Sequence, residues 1–233
     1  MLPLRDDIPA SRFPGVTVTL IVLNVIVFLQ ELMLGSRLDD ALLTWAIIPA
    51  RYTNGSVATH FSLVEQALPF FTSMFLHGGW IHLIGNMWIL WIFGDNVEDR
   101  LGHGRFLILY LLSGIAAAGL HIITNAGSTM PTIGASGAVA GVMGAYMRFF
   151  PHARVHTVIP PFVFGPVFDL PAVLFLGWWL LLQFFNGALS LAGPEGYGGV
   201  AWWAHVGGFI FGMIMAGRKS ARPRYRNEAP YWE

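Results

Sequence analysis

The chain has 233 residues, of which 55% are hydrophobic and only 11% are charged, and its formal net charge is zero. A soluble domain carries about 25% charged residues, so this composition argues against a soluble protein and predicts a membrane protein with several spans. The sequence has no cysteine, which excludes disulfides, thiolate metal sites and a cysteine nucleophile. It also has no basic patch of the kind that binds nucleic acid.

Six segments are candidates to cross a bilayer, for which a helix needs about 20 mostly apolar residues. The fourth is the least hydrophobic because it is rich in glycine and alanine. The predicted spans lie at about 15–34, 76–94, 105–124, 132–150, 171–191 and 200–217. We therefore predict an all-α membrane protein in which residues 1–233 form a single domain with six transmembrane helices.

The distribution of basic residues predicts the orientation of these spans. If the N-terminus is cytoplasmic, only Arg37 and Arg51 of the 13 lysines and arginines lie outside, which leaves 11 inside. Cytoplasmic loops of membrane proteins are enriched in Lys and Arg. Both termini are therefore expected in the cytoplasm, where residues 218–233 would form a basic tail. The N-terminus lacks the pattern of a cleavable signal peptide.

Two of the predicted connections have an unusual composition. The outer segment 35–75 is long and half apolar, which predicts short amphipathic helices in the membrane interface. The inner stretch Pro151–Leu170 contains Pro160, Pro161 and Pro166, and these prolines argue against a continuous helix there.

Three polar residues fall at one predicted depth in spans two, four and six, which run in the same direction. His82, Ser136 and His205 each lie about five or six residues into their span, roughly 8 Å below the outer surface. Polar groups at membrane depth usually mark function or line a cavity. A serine hydroxyl needs an adjacent base to act as a nucleophile, and a neutral histidine can serve. Ser136 and His205 are therefore the candidate nucleophile and base.

Further polar and small residues surround this pair. Asn86 follows His82 by four residues, so both side chains project from one face of the second span. Together with the backbone N–H of Ser136, they could donate hydrogen bonds to a tetrahedral oxyanion. Gly134 and Gly137 would relieve crowding around the serine.

Small residues recur every four positions on the spans that carry Ser136 and His205. Such stripes let two helix backbones approach closely, which would bring the hydroxyl and the imidazole into hydrogen-bonding range. No carboxylate lies at this depth in either span, so a Ser-His dyad is predicted rather than a triad. The stripes consist of Gly137, Gly141 and Ala145 on the fourth span and of Ala204, Gly208, Gly212 and Ala216 on the sixth.

Three motifs occur in one order on three spans: His82-x-x-x-Asn86, Gly134-Ala135-Ser136-Gly137 and Ala204-His205-x-x-Gly208-x-x-x-Gly212. Together they resemble the rhomboid family of intramembrane serine proteases, over nearly the whole chain. The resemblance implies a six-helix rhomboid-like bundle in which Ser136 is the nucleophile and His205 the base. It further implies that His82 and Asn86 bind the oxyanion, and it gives His77 a structural role.

One position departs from the family pattern. Ala140 stands where some members have an aromatic residue that packs on the catalytic histidine. We therefore expect another group to orient His205, and the candidates are Trp202, Trp203 and Tyr146.

The resemblance implies a serine endopeptidase that cleaves the transmembrane segments of other proteins within the lipid bilayer, near its outer face. It implies no cofactor, and the remaining histidines lack the spacing of a zinc site. Span five and the glycine-rich segment 192–199 are the candidate gate for substrates. The compact form, without a transit peptide or added domain, is typical of a bacterial plasma membrane protein.

Two other interpretations stay open. A rhomboid-fold protein without catalytic activity would bind or extract membrane proteins, although such relatives typically lack the serine or the histidine. A channel or transporter would predict internal repeats or charged residues along a pathway, and neither is evident in the sequence. In both cases Ser136 and His205 would serve only as hydrogen-bonding groups within or between helices.

Overall fold

The computed structural model describes residues 1–158, 166–193 and 200–217 of the chain. The fold is mainly helical and includes one small antiparallel sheet. The predicted basic tail, 218–233, lies outside the described residues, as does most of the predicted gate segment 192–199.

In the described ranges, one long helix is followed by several short ones and then by longer ones. Two 3₁₀ turns, Gly35–Arg37 and Ser73–Phe75, lie between these helices. The helices are α1 (Gly15–Leu34), α2 (Leu38–Trp45), α3 (Ala50–Thr53), α4 (Gly55–Ala58), α5 (Leu63–Ala67), α6 (Pro69–Thr72), α7 (Trp80–Leu101), α8 (His103–Thr124), α9 (Ser136–Phe149), α10 (Ala172–Ala192) and α11 (Trp202–Met215).

The six longest helices of the described ranges correspond to the six predicted spans. α1 has the predicted bounds, and those of α8 and α10 differ from the prediction by at most two residues. Two predicted spans begin too early, since α7 starts at Trp80 and α9 at Ser136. Gly79 and Gly134, with φ of 154° and 123°, precede these helices. Positive φ is incompatible with a right-handed helix, so each helix starts after its glycine.

Three helical segments are long and apolar enough to cross a membrane: Gly15–Trp45, His103–Thr124 and Ala172–Ala192. α11 is a shorter apolar helix of 14 residues, and α9 has the same length. The chain is therefore a mainly helical integral membrane protein.

The all-α prediction is wrong in one place. Strands β1 (Leu2–Asp6), β2 (Arg154–Val158) and β3 (Phe168–Pro171) form an antiparallel sheet in the order β1-β2-β3. In β2 the side chains of Val155 and Thr157 are fully buried, which gives the alternation of a strand that packs on one face. The stretch before α10 is thus not a continuous helix, as its prolines predict.

The segment between α1 and α7 folds into short helices, as predicted. Ser62 and Glu65 form a reciprocal capping box at the start of α5. Backbone hydrogen bonds of 3.1 and 2.7 Å between Ile47 and Thr132 tie this segment to the chain that leads into α9. The segment is therefore anchored a few residues before Ser136.

α9 lies at the centre of the bundle, in contact with α7, α8, α10 and α11. Its approach to α11 is very close because glycines face each other. A Cβ on Gly208 would overlap the carbonyl oxygen of Gly137, and a Cβ on Gly212 would overlap that of Gly141. The predicted contact between the two small-residue stripes is thus confirmed.

Buried polar groups join several elements at the C-terminal end of α7. Glu98, which is 2% exposed, accepts hydrogen bonds from the N–H groups of Val16 and Thr17 and from the Thr17 hydroxyl at 2.7–2.8 Å. It thereby caps the first turn of α1, whose N–H groups lack partners within the helix. Its Oε1 also lies 2.5 Å from Nδ1 of His103 at the start of α8.

The N-terminal strand is held against the bundle by hydrogen bonds. Asp6 accepts hydrogen bonds from the Tyr146 hydroxyl at 2.5 Å and from Nδ2 of Asn96 at 2.9 Å. Nε1 of Trp88 donates to the Pro3 carbonyl at 2.7 Å. Burial raises the pKa of the Asp6 carboxyl to about 6. β1 is therefore fixed to both α7 and α9.

Candidate active site

Ser136 is the first residue of α9 rather than a residue well inside a span. The turn that precedes it is held by a hydrogen bond of 2.9 Å from the N–H of Gly134 to the Ser73 carbonyl. N–H groups in the first turn of a helix have no acceptor within that helix and lie at the positive end of its dipole. The backbone around Ser136 can therefore stabilise a negative charge.

His205, the fourth residue of α11, lies beside Ser136. Its Nε2 is 2.8 Å from Oγ of Ser136, which is a hydrogen-bonding distance. The contact depends on the close approach of α9 and α11 at Gly137 and Gly208. The two residues that sequence analysis places at one depth are therefore in direct contact.

The surroundings of His205 are only partly as predicted. Nδ1 lies 2.8 Å from Oε1 of Gln183 on α10. The ring of Trp179, one turn earlier on α10, is tilted by 32° to the imidazole at a centroid distance of 5.8 Å. Trp202 meets the imidazole edge-to-face at 6.4 Å, so the predicted contact with Trp202 is confirmed. Gln183 and Trp179 are not among the residues predicted to contact His205.

Trp203 and Tyr146, the other two candidates for orienting His205, make different contacts. Nε1 of Trp203 donates a hydrogen bond of 3.0 Å to the Gly187 carbonyl. Tyr146 is ten residues beyond Ser136, about 15 Å along the helix, where its hydroxyl contacts Asp6.

The sequence does carry a signal for Gln183. Its side chain is polar within the apolar helix α10, and polarity within a span is also what singles out Ser136 and His205.

His82 and Asn86 face the turn before Ser136. The Gly78 N–H donates to Nδ1 of His82 at 3.4 Å, so Nε2 carries the ring proton. A Cβ on Gly134 would stand 2.7 Å from that Nε2, which explains why a glycine fits there. Asn86 is 7% exposed, and its Nδ2 has no hydrogen-bond partner among the described residues. Buried donors are normally paired, so this amide is free to donate to a ligand.

His77 supports His82 from the turn before α7. Its N–H donates to both carboxylate oxygens of Glu31 on α1, at 3.2 and 3.0 Å. Its ring packs edge-to-face on His82 with the centroids 5.1 Å apart. These contacts fit the structural role expected of His77.

A cavity of about 1480 Å³ opens over these residues. Its wall is formed by α7, α9, α10, α11 and the loop that leads into α9, and it includes Ser136, His205, His82 and Asn86. Typical small-molecule pockets have about 300–1,000 Å³, so the cavity is large enough for a peptide segment. No group of three or more metal-ligating side chains occurs in residues 1–158, 166–193 and 200–217.

Comparison with known proteins places these features in a family. The family model for the Rhomboid domain matches residues 64–222. Presenilin-associated rhomboid-like protein A, mitochondrial, from Danio rerio is 31% identical over 162 residues, which cover 65% of this chain and 37% of the relative. Rhomboid protein 1, mitochondrial, from Saccharomyces cerevisiae is 28% identical over 155 residues, 65% of this chain and 41% of the relative.

A bacterial relative, Rhomboid protease GluP from Bacillus subtilis, is 34% identical over 137 residues, which cover 58% of this chain and 24% of the relative. The chain thus matches less than half the length of each of these relatives. Because the family model matches more than half of its residues, the chain belongs to the rhomboid family.

Proposed function

We propose that this chain is an intramembrane serine endopeptidase that cleaves transmembrane segments of other membrane proteins. Ser136 is the proposed nucleophile and His205 the proposed general base. The observation that carries this proposal is the 2.8 Å contact between Nε2 of His205 and Oγ of Ser136 on the wall of a large cavity. Family membership supports the reaction class, since one relative is named as a protease.

In the proposed reaction, Oγ of Ser136 attacks the carbonyl carbon of the scissile peptide bond while its proton passes to Nε2 of His205. The imidazolium then gives this proton to the leaving amine, and the acyl group remains on Ser136 as an ester. A water molecule, deprotonated by His205, attacks the ester carbonyl; the imidazolium then returns this proton to Oγ of Ser136 as the ester bond breaks and the second product leaves as a carboxylic acid. This step requires water in the cavity.

The oxyanion of the tetrahedral intermediate would accept hydrogen bonds from Nε2–H of His82, Nδ2–H of Asn86 and the backbone N–H of Ser136. The strongest support comes from Asn86, whose buried Nδ2 lacks a partner within the described ranges. One such donor is worth about 3–4 kcal/mol of transition-state stabilisation.

We also propose that α1, α7, α8, α9, α10 and α11 all span the bilayer, with both termini in the cytoplasm. The charge asymmetry of the loops supports this orientation. α9 and α11 are short for a span, but their N-termini line the cavity, where water can solvate the free backbone groups. A bacterial plasma membrane remains the proposed location; the relative from Bacillus subtilis supports it, whereas the relatives from Danio rerio and Saccharomyces cerevisiae are mitochondrial.

Substrates would reach the cavity between α7 and α10, the proposed gate. The cavity wall includes Ile89 from α7, Met143 from α9 and Trp179 from α10. A cross-link between α7 and α10 should therefore prevent cleavage of transmembrane substrates while a small serine-reactive reagent still labels Ser136. Full cleavage by the cross-linked protein would contradict the gate.

The function is tested with wild type, Ser136→Ala and His205→Ala, each purified in detergent and incubated with a transmembrane substrate. Mass spectrometry of the products should locate one cleavage site in wild type and a loss of at least about 10³-fold in both variants. Cleavage by Ser136→Ala would overturn the mechanism. No cleavage by any of the three, with intact substrate retained on the protein, would favour a non-catalytic rhomboid-fold binding factor.

A further inference from the structure

We propose that Gln183 on α10 is a positioning residue that selects the tautomer of His205 in which Nε2 can accept the Ser136 proton. The proposal rests on the proposed function, because it concerns the same base. Its basis is the contact of 2.8 Å between Oε1 of Gln183 and Nδ1 of His205. Gln183 acts through His205 and does not touch Ser136 or a substrate.

The orientation of the Gln183 amide is set by its other hydrogen bond. Nε2 of Gln183 lies 3.4 Å from the Trp179 carbonyl, which can only accept. The opposite amide orientation would place the amide oxygen of Gln183 against the carbonyl oxygen of Trp179. The amide oxygen therefore faces His205, and since an amide oxygen only accepts, Nδ1 of His205 must carry the proton.

The tautomer follows from this hydrogen bond. With the proton on Nδ1, Nε2 of neutral His205 has a free lone pair, and that lone pair faces Oγ of Ser136 at 2.8 Å. During attack, the Ser136 proton moves to Nε2, while the Nδ1 proton stays in its hydrogen bond to Gln183. Gln183 therefore orients the base as the aspartate of a triad does, but it adds no negative charge.

His205 is partly exposed on the cavity wall, whereas its partner Gln183 is buried. Gln183 is 6% exposed. The rings of Trp179 and Trp202 contact the imidazole at centroid distances of 5.8 and 6.4 Å. Loss of the glutamine would remove the amide oxygen that accepts a hydrogen bond from Nδ1.

The position of Gln183 also ties the base to the proposed gate. A second hydrogen bond between α10 and α11, from Trp203 to the Gly187 carbonyl, follows one turn later on α10. Displacement of α10 away from α11 would break both bonds and release His205 from its productive tautomer. The base is thus aligned only while α10 stays packed on α11.

The test compares Gln183→Leu with Asn186→Leu, a matched polar-to-apolar change on α10. Asn186 is only partly buried, and its Nδ2 donates to the Leu182 carbonyl within its own helix. We expect Gln183→Leu to lower kcat at least about 10-fold with KM for the transmembrane substrate little changed. Asn186→Leu should keep the wild-type kcat. A kcat of Gln183→Leu within twofold of wild type would overturn the proposal.

Gln183→Glu separates positioning from packing, because it keeps an oxygen acceptor at the same reach. We expect its kcat to exceed that of Gln183→Leu, and a kcat no higher than that of Gln183→Leu would count against an acceptor role. The tautomer can be read without activity from the ¹⁵N shifts of His205, assigned by comparison with His205→Ala. Wild type should carry the proton on Nδ1, and Gln183→Leu should show a mixture.

This spectroscopic result distinguishes the two proposals. An Nδ1–H tautomer in an inactive wild-type protein would support the role of Gln183 in orienting His205 and reject the proposed protease function. The same tautomer distribution in wild type and Gln183→Leu would reject the role of Gln183, whatever the activity.

Discussion

α7 carries a buried asparagine near each end, and the two differ in what their amides contact. Nδ2 of Asn96 donates to Asp6 at 2.9 Å and to Asp95 at 3.1 Å. Nδ2 of Asn86 has no partner in the part of the chain that the structure describes. Yet both residues are almost fully buried, at 2% and 7% exposure. An unsatisfied buried donor costs about 1–3 kcal/mol, so the Asn86 end of the helix gives up stability that the Asn96 end retains.

The groups close to the two asparagines differ as well. At the Asn96 end, Glu98 accepts hydrogen bonds from two backbone N–H groups and a hydroxyl, and it joins α1, α7 and α8. At the Asn86 end the cavity wall offers donors and one serine–histidine contact. The Asn96 end therefore holds the helices in place, and the Asn86 end keeps a donor available for a ligand.

Of the two asparagines on α7, Asn86 is expected to have the larger effect on activity, which Asn86→Ala tests. It removes one donor to the proposed oxyanion, so kcat should fall about 10²–10³-fold, while the free energy of unfolding should not decrease because Nδ2 has no hydrogen bond to lose among the described residues. Cleavage assays and thermal unfolding in detergent measure the two quantities. Asn96→Ala is the matched control, and it should lower the free energy of unfolding by about 1–2 kcal/mol without lowering kcat of the folded enzyme. Equal losses of kcat in both variants would contradict the proposed functional difference between the two ends of α7.

Glu98→Ala should have the largest effect on stability. It leaves the first turn of α1 uncapped and removes a buried charged acceptor, so the free energy of unfolding should fall by about 3 kcal/mol. Asp99→Ala changes a less buried carboxylate that accepts hydrogen bonds from Ser11, and it should cost less than about 1 kcal/mol. Similar losses in the two variants, measured by thermal unfolding, would refute the special role of Glu98.

A smaller, pH-dependent effect is expected from Asp6→Asn. The pKa of the Asp6 carboxyl is about 6 in the folded protein, above its ordinary value of 3.8, so the folded state binds the proton more tightly. This contribution to stability is complete below about pH 4 and is lost as the pH rises through about 6. Because Asp6 is only partly buried, we expect this contribution to the free energy of unfolding to be about 1 kcal/mol.

Unfolding measured between about pH 4 and pH 7 should therefore show a smaller loss of stability in Asp6→Asn than in wild type. An identical pH dependence in the two proteins would contradict this assignment. Nδ2 of the new asparagine adds a donor, but its Oδ1 can still accept from Tyr146, so the comparison isolates the titration.

Much of the candidate site is predictable from the sequence. The repeated small residues predict the contact of α9 with α11, and the shared depth of Ser136 and His205 predicts that they meet. The first residue of each helix is harder to predict. Gly134 has a positive φ, and α9 therefore starts only at Ser136. The hydrophobicity of the sequence does not change at such a glycine, so it does not mark where the helix starts.

Other features depend on contacts between distant segments. Leu2 pairs with Val158, so β1 and β2 come from opposite parts of the chain, and neither strand has a local signal for its partner. The polarity of Gln183 marks it as unusual within α10, but only the packing of α10 on α11 selects His205 as its partner. Sequence patterns identify which face of a helix a residue lies on and how deep it lies in the membrane. Which side chains pair between different helices can be seen only in the folded structure.

The central claim, that His205 activates Ser136, is tested most directly by covalent labelling with a serine-reactive phosphonate. Folded wild type, His205→Ala and Ser136→Ala would be treated in parallel, and the labelled peptide identified by mass spectrometry. We predict that the label appears on Ser136 in wild type only. Absence of label from Ser136 in folded wild type, or equal labelling rates in wild type and His205→Ala, would contradict the claim.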